Sequence, residues 1–317
     1  MAATAEIESL LDGMTTEKRE RFESLVAQQA TRKIEALRIY EPLPEQERFH
    51  RSRATERVIR GGNRSGKSLA TFVEDARAAT GTDPHGKYPN GNMVIWIICY
   101  EERNIGRTAH RLLFRPGAFK MIRDLGSGQW RSFRPWEASD KDREKEAKPA
   151  PPLIPPRMIE SISWQDKGRR IFSLVRLKNG SEIYAFSSGG EPPQGDPADL
   201  IHIDEDLKYE HFVPELEARL SDRKGRLIWS VFPHSKNDAL CKLCDRAEDQ
   251  KDRDNPDVEE FHLTFSGNAH IDADEKRKRF EGWDEDERRA RDLGEFLNDR
   301  ILVYPNFDIE THGCPQN

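Results

Sequence analysis

The chain has 317 residues, with 51 Lys and Arg against 57 Asp and Glu, and a formal net charge of −6. This balance excludes a globally basic nucleic-acid binder, so any contact with nucleic acid has to come from a local patch of positive charge. No apolar run approaches the roughly 18 residues that a membrane-spanning helix needs, and the acidic start "MAATAEIESLLDG" lacks a secretory pattern. We therefore expect a soluble, intracellular protein.

The first half of the chain alternates helical and strand patterns. Residues 4–38 carry a helical pattern, and the β-branched run "RVI" precedes a glycine-rich stretch. The following "KSLATFVEDARAA" has apolar residues at spacings of three and four, which predicts a helix, and "MVIWIICY" predicts a strand buried on both faces. "ERNIGRTAHRLLF" is expected to be helical. The charged, proline-rich residues 134–156 are expected to form a mobile surface loop without regular structure.

The second half adds a hairpin, a helix and further strands. "RIFSLVRLKNGSEIYAFSS" predicts two strands joined by an Asn-Gly turn, and "DLIHIDEDL", "GRLIWSVFP" and "EEFHLTF" predict three more. "NDALCKLCDRAED" predicts a helix, and its two cysteines are read as ordinary helix residues in preference to zinc ligands. Strands that alternate with helices favour an α/β domain with a mainly parallel central sheet flanked by helices. We expect an N-terminal helical lid, 1–40, a core, 41–270, and a helical extension, 271–317.

The stretch "GGNRSGKS" fits the pattern G-x-x-x-x-G-K-[ST] of a phosphate-binding loop. Glycines let backbone N–H groups surround phosphate oxygens, Lys67 can reach the outer phosphates, and the Ser68 hydroxyl can ligate Mg2+. The alternative is a solvated turn, but the strand before the stretch and the helix after it are the context that a phosphate loop requires. The predicted ATP-binding segment is therefore Gly61, Gly62, Asn63, Arg64, Ser65, Gly66, Lys67 and Ser68.

Two acids end the predicted strand "DLIHIDEDL", and they are the second part of an ATP site. At the carboxyl end of a parallel strand, Asp204 and Glu205 would lie beside the phosphate loop. Asp204 can hold the Mg2+ shell, and Glu205 can orient or deprotonate an attacking water. The alternative is a solvated strand end. His202 alternates within the strand and is expected to be a packed or interface residue rather than a base. The order of these elements is typical of motor-type ATPases with the ASCE or RecA-like P-loop fold.

Several stretches, taken in order, resemble the large terminase subunit of tailed double-stranded DNA bacteriophages, the motor that packages DNA into a prohead. They are "YEPLPEQERFHRS", "GGNRSGKS", "LKNGSEIYAFSS" with "PPQGDPADLIHIDEDL", "LEARLSDRKGRLIWSVFPHS" and "RRARDLGEFLNDRILVYPNFDIETH". Together they span roughly residues 38 to 312. The two nucleotide motifs are shared with many ATPases, whereas the combination is much more specific.

This resemblance implies roles for two further residues. Gln46 would read the adenine, since its amide has both an acceptor and donors, although it could also be an ordinary surface glutamine. Ser230, at the end of the strand "RLIWS", would sense the γ-phosphate and couple its loss to movement, and its alternative is a hydroxyl that caps a turn.

The arginine pattern departs from the family. Many terminases carry an arginine four positions before the loop lysine, where this chain has Asn63 and the arginine follows at Arg64. We keep Arg64 as a candidate catalytic residue with Lys67 and Glu205. For an arginine finger supplied by a neighbouring subunit, the sequence leaves four candidates open: Arg103, Arg107, Arg219 and Arg223.

The resemblance also implies partners and a location. They are double-stranded DNA bound through its backbone, a small terminase subunit, the portal protein of the prohead, and copies of this chain in a ring, in the cytoplasm of an infected host. An isolated motor domain could be a monomer. The best basic clusters for DNA are 167–170 and 222–226, and we expect no DNA cleavage because no nuclease domain follows. Alternative functions are another DNA translocase or helicase, and a nucleotide-sensing assembly module with little turnover.

Overall fold

A computed structural model of the chain describes residues 35–191, 197–209, 211–232 and 237–295, with single positions at 15, 18 and 21. The predicted N-terminal helices up to residue 34, with the lid that they would form, lie outside the described residues. So do residues 192–196, 210, 233–236 and 296–317. Within the described part, no helix is both long enough and apolar enough to cross a bilayer.

Strands and helices alternate along the described chain. The strands are β1 Glu56–Gly61, β2 Val94–Cys99, β3 Lys120–Arg123, β4 Trp130–Ser132, β5 Lys148–Pro149, β6 Ile159–Asp166, β7 Ile171–Leu177, β8 Glu182–Ser187, β9 Leu200–Asp204, β10 Arg226–Val231 and β11 Val258–Leu263. The helices are α1 Ala36–Ile39, α2 Pro44–Arg51, α3 Lys67–Thr80, α4 Glu102–Asn104, α5 Arg111–Phe114, α6 Ala138–Lys141, α7 Phe212–Ser221, α8 Asp238–Gln250, α9 Ala273–Glu281 and α10 Glu285–Arg288. π-helical turns follow α4 at Ile105–His110 and α10 at Arg289–Leu293.

The main sheet has eight strands in the order β11-β1-β10-β9-β2-β8-β7-β6. The six strands from β11 to β8 are parallel, and β7 and β6 extend the sheet as an antiparallel edge. This confirms the predicted mainly parallel sheet and the hairpin, whose turn places Gly180 at a φ of 85°. Strand β10 lies between β1 and β9, so the phosphate loop and the two acids are separated by one strand.

Both faces of the sheet are covered, which explains why its central strands are continuous apolar runs. One hydrophobic cluster packs α3 and the α4–α5 segment on one face. The other packs α7 and α8 on the opposite face, against Trp229 and Ile203. The predicted helices "ERNIGRTAHRLLF" and "NDALCKLCDRAED" are confirmed as the α4–α5 segment and α8. The carboxyl ends of the parallel strands therefore form one edge between two helical layers.

The prediction of an irregular mobile loop at 134–156 was wrong. The segment contains α6, a 3-10 turn at Glu144–Glu146, and β5, which pairs antiparallel with β3 in a second, three-stranded sheet. Ala150, Leu153 and Ile154 are buried, and Asp140 forms a bidentate ion pair with Arg131 at 2.6 Å for both contacts. The regular structure of residues 134–156 depends on contacts with residues distant in sequence. The local content of prolines and charged residues does not reveal these contacts.

Candidate functional site

The loop between β1 and α3 packs so closely against its neighbours that two of its positions leave no room for a side chain. Gly66, directly before α3, has a φ of 96°, a conformation that favours glycine. A Cβ at Gly66 would lie 2.7 Å from the amide nitrogen of Gln46, and one at Gly62 would lie 1.5 Å from the Arg291 carbonyl oxygen. Side chains at these positions would therefore collide with neighbours on both sides of the loop. The π-helical turn Arg289–Leu293, in the predicted C-terminal extension, packs directly on the loop.

Lys67 begins α3 and turns its ammonium into the loop. Its Nζ donates hydrogen bonds to the carbonyl oxygens of Gly61 at 2.6 Å and Gly62 at 2.8 Å. Burial lowers the pKa of Lys67 to about 8, while Asp204 and Glu205 act in the opposite direction. The two carboxylates thus favour a charged lysine at a position where burial opposes it.

Asp204 and Glu205 stand where the sequence places them, at the carboxyl end of β9. Asp204 is buried, and burial raises the pKa of its carboxyl to about 6, with His202 opposing the shift and Glu205 adding to it. One cavity of about 220 Å3 brings both acids together with the phosphate loop; it is lined by residues 63–69, Asp204, Glu205, Ser230 and Phe232. The structure therefore assembles the two predicted halves of the site.

The backbone of Glu205 explains how two consecutive acids can line one cavity. Successive side chains of a strand point to opposite faces, but Glu205 leaves the strand with a φ of 78°, in the left-handed region. Its N–H donates to the Ser230 carbonyl at 2.7 Å, and its own carbonyl accepts from the Trp229 indole N–H at 2.9 Å. These two hydrogen bonds from β10 hold a conformation that is unfavourable for a glutamate.

Ser230 lies one strand from the acids, as predicted. It pairs with Asp204 in the β10–β9 register and with Ile59 of β1, and its side chain is buried beside the cavity. Residues 233–236, which follow β10, lie outside the described residues. The coupling role of Ser230 therefore stays a prediction.

Gln46 lies on α2 and its side chain reaches the start of α3. Its Oε1 accepts from the Leu43 N–H at 2.8 Å, and its Nε2 donates to the Gly66 carbonyl at 3.0 Å. Gln46 is buried, so the reading as a surface glutamine was wrong. It also lines a cavity of about 350 Å3 beside the loop, together with Tyr40, Leu69, Phe119 and Phe133. That cavity is large enough for a purine base, and apolar and aromatic side chains share its lining with polar ones such as Lys120 and Asn268.

Arg64 lines the phosphate cavity, but its side chain pairs with an acid of α9. It has a φ of 62°, its side chain is 60% exposed, and its guanidinium pairs with Glu275 of α9. Asn63, at the position where the family carries its arginine, is exposed and lines the phosphate cavity.

Three of the finger candidates form ion pairs with nearby acids. Arg103 pairs with Glu101, Arg219 with Glu215, and Arg223 with Asp199. Arg107 is exposed in the π-helical turn after α4. These pairs do not single out one arginine as a finger.

Sequence reasoning missed two residues that contact the acids or their strand. Asn104, at the end of α4, donates from Nδ2 to Glu205 Oε2 at 3.2 Å. Asp75 on α3 pairs with His202 Nδ1 at 2.6 Å, and both side chains are buried, which confirms that His202 is packed in the core. The position of Asn104 in the helix that follows β2, the strand beside β9, was the available signal for its approach to Glu205.

The residues present fit a Mg2+–nucleotide complex. The Ser68 hydroxyl and the Asp204 carboxylate are hard oxygen donors on the same cavity, as Mg2+ prefers. Asp204 is also kept in a buried position in which its ionised form is unfavourable without a nearby cation. Among the described residues no group of three or more His, Cys, Asp or Glu side chains is arranged to hold a metal alone.

No model of a known protein family matches the chain, and neither does a curated protein. Among solved structures, the chain is similar to the large terminase ATPase domain of Thermus phage P74-26, with a TM-score of 0.50 and 19% identity over 81% of this chain and 95% of that one. The large terminases of bacteriophage D6E, in complex with ADP, and of HK97 also match, with TM-scores of 0.48, identities of 15% and 12%, and coverage of 81% of this chain and 54% and 51% of theirs. The likeness to the P74-26 domain shows the fold and confirms the predicted α/β fold class.

Proposed function

We propose that this chain hydrolyses ATP and is the motor domain of a terminase-type DNA-packaging machine. The observation that carries the proposal is the shared cavity at the carboxyl edge of the sheet, where Lys67, Ser68, Asp204, Glu205 and Ser230 converge. A phosphate loop alone would indicate nucleotide binding. An acid pair facing it adds a metal ligand and a base, which hydrolysis needs and a passive binder does not.

In the proposed reaction, residues 61–68 bind the phosphates through backbone N–H groups and Gln46 contacts the adenine. The Lys67 ammonium exchanges its two carbonyl partners for phosphate oxygens. Ser68 and Asp204 would hold Mg2+, which when bound neutralises phosphate charge. Arg64 would have to leave Glu275 to reach a phosphate, and this pairing makes it a weaker candidate than Lys67.

Glu205 is the proposed base. Its left-handed backbone turns the side chain towards the phosphate cavity, and Asn104 holds one carboxylate oxygen at 3.2 Å. A water between Glu205 and the γ-phosphate would be oriented by the other carboxylate oxygen and would give a proton to Glu205 as it attacks the γ-phosphorus, while the bond from that phosphorus to the bridging oxygen breaks and ADP leaves. Because Glu205 N–H bonds to the Ser230 carbonyl, a shift of β10 would move the base, which gives Ser230 a route to couple hydrolysis to movement.

The packaging role is supported by the fold likeness and by the sequence resemblance. We propose double-stranded DNA, a small terminase subunit, a portal protein and a ring of identical subunits as partners, acting in the host cytoplasm. We also keep the division into residues 1–40, 41–270 and 271–317, although the contact between Arg291 and Gly62 ties the third part to the core.

The proposal is tested by Mg2+-dependent ATP hydrolysis at several protein concentrations, with and without double-stranded DNA. A ring with an arginine finger in trans predicts turnover per chain that rises with concentration and with DNA. A forked duplex separates the alternatives, since a packaging motor should not part the strands. Strand separation driven by ATP would favour a helicase, and binding without any hydrolysis would favour an assembly module.

A further inference from the structure

The amide of Gln46 has only one orientation that satisfies its surroundings. Two backbone groups flank it: the Leu43 N–H can only donate, and the Gly66 carbonyl can only accept. Oε1 must therefore face Leu43, and Nε2 must face Gly66. Each end then keeps capacity for one more hydrogen bond, because an amide oxygen has two lone pairs and an amide nitrogen has two hydrogens.

A third group competes for the second lone pair of Oε1. The Tyr40 hydroxyl oxygen lies 3.2 Å from Gln46 Oε1 and 3.3 Å from His50 Nε2. Burial raises the pKa of Tyr40, so its hydroxyl keeps its single proton. That proton can serve Gln46 or His50 but not both when His50 is an acceptor at Nε2.

The state of His50 is set by a buried cluster beneath α2. Its Nδ1 lies 2.8 Å from Glu74 Oε1, and both side chains are fully buried. Burial alone would raise the pKa of Glu74, but Arg57, the hydrogen bond from His50, and Lys87 hold it well below its usual range. An ionised Glu74 can only accept, so Nδ1 carries the proton of His50. Burial lowers the pKa of His50, so the ring is neutral and Nε2 is an acceptor.

The other charged and titratable groups around the cluster do not change this assignment. Arg77 of α3, and Lys87 from the segment between α3 and β2, disfavour a positive charge on His50, while Glu74 favours it. The remaining members, Arg57 of β1 and Tyr88, bond to Glu74 Oε2. The ring of Tyr40 packs edge-on against that of His50, with centroids 5.7 Å apart.

The balance of unsatisfied groups decides where the Tyr40 proton goes. If it went to Gln46, His50 Nε2 would be a buried acceptor with no other donor among the described residues. If it goes to His50, Gln46 Oε1 still accepts from Leu43. An unpaired buried acceptor is much more costly than a second hydrogen bond is favourable. The hydroxyl therefore donates to His50, and Oε1 keeps a lone pair.

We propose that His50 is a positioning residue for base selection: it draws the Tyr40 hydroxyl proton away from Gln46, which leaves the amide with one acceptor and one donor for the edge of adenine. This inference rests on the proposed function, in which Gln46 contacts the base. Adenine offers an amino donor beside a ring acceptor, whereas hypoxanthine offers an oxygen in place of the amino group. With Oε1 able to accept, the site favours ATP over ITP. With Oε1 already occupied by the Tyr40 proton, it loses that preference.

The test measures the ratio of ATP to ITP affinity, in which the shared phosphate contribution cancels. His50→Asn keeps an N–H near Glu74 but removes the acceptor at Nε2, so Tyr40 can donate only to Gln46, and the ratio should fall roughly fivefold. Tyr40→Phe should leave the ratio unchanged, because the hydroxyl does not occupy Oε1. The double variant, His50→Asn with Tyr40→Phe, should restore the wild-type ratio, since the competing proton is gone.

Tyr88→Phe is the matched control, because it removes a buried hydroxyl that bonds to Glu74 and not to Gln46. It should leave the ratio unchanged, and thermal unfolding should show all variants folded. A roughly fivefold rise of the ATP/ITP affinity ratio in Tyr40→Phe alone would overturn the proposal, because the hydroxyl of the wild type would then have been donating to Gln46 Oε1. So would a double variant that keeps the low ratio of His50→Asn. Failure of the wild type to bind either nucleotide would instead refute the proposed function itself.

Discussion

Replacing Asp204 with asparagine should stabilise the fold while it removes the metal ligand. Burial raises the pKa of Asp204 from 3.8 to about 6, so its ionised form is disfavoured in the folded chain. At about 1.36 kcal/mol per pKa unit, this shift means that the ionised Asp204 carboxyl destabilises the folded state by about 3 kcal/mol at neutral pH. Asparagine has the same shape and no charge, so Asp204→Asn should gain up to about that amount, reduced by whatever the new amide loses to burial.

The direction of the Asp204 pKa shift determines how the stability difference between Asp204→Asn and the wild type changes with pH. Because the folded pKa lies above the unfolded one, the folded state binds more protons, and the contribution of Asp204 to stability is lost as pH rises from about 4 to 6. The advantage of Asp204→Asn should therefore be largest above about pH 7 and about half as large near pH 5. Urea unfolding of both chains without Mg2+ or nucleotide measures it.

Glu74→Gln is the control for this experiment, because removal of this buried charge should destabilise the fold, whereas Asp204→Asn should stabilise it. Glu74 is buried among Arg57, Lys87 and His50, which together hold its pKa well below the usual range. Its removal leaves buried cations unpaired and should destabilise the fold by about 3–5 kcal/mol at neutral pH. A less stable Asp204→Asn at neutral pH, or an effect independent of pH, would refute the reasoning about the Asp204 environment.

Two further substitutions test the geometry of the cavity. Asn104→Ala removes the donor to Glu205 Oε2 and should lower kcat about tenfold with little change in KM, because the base loses its orientation after substrate has bound; an equal loss in KM would indicate a role in binding. Gly66→Ala places a Cβ 2.7 Å from Gln46 Nε2 at a φ of 96°, and should cost about 1–3 kcal/mol in thermal or urea unfolding and weaken ATP binding; a stable variant with normal ATP affinity would contradict the close approach of Gln46.

The sequence predicts the frame of the site well because that frame depends on local pattern. Apolar runs such as "MVIWIICY" form strands buried on both faces, and the acids at 204–205 end one of them. The phosphate loop falls between β1 and α3, and Ser230 lies one strand from Asp204. Parallel strands share one carboxyl edge, so the meeting of loop and acids follows from topology.

Other features depend on contacts between distant residues, which pattern does not reveal. The left-handed backbone of Glu205 is held by β10, and the Asn104 amide arrives from another element. The order of residues 138–149 depends on pairing with β3 and on the Arg131–Asp140 ion pair. The charge of Glu74 falls within an apparently amphipathic helix, and only the fold shows that Arg57 and Lys87 surround it.

The most direct test of the account compares ATP hydrolysis and ATP binding in the wild type and in Glu205→Gln. The amide keeps the size of the side chain but cannot accept a proton, so ATP binding should persist while hydrolysis falls by about 100-fold or more. Mg2+ has to be present in both measurements. If Glu205→Gln hydrolyses ATP at the wild-type rate, or if the wild type binds ATP and does not hydrolyse it at any protein concentration, Glu205 is not the base and the motor account is contradicted.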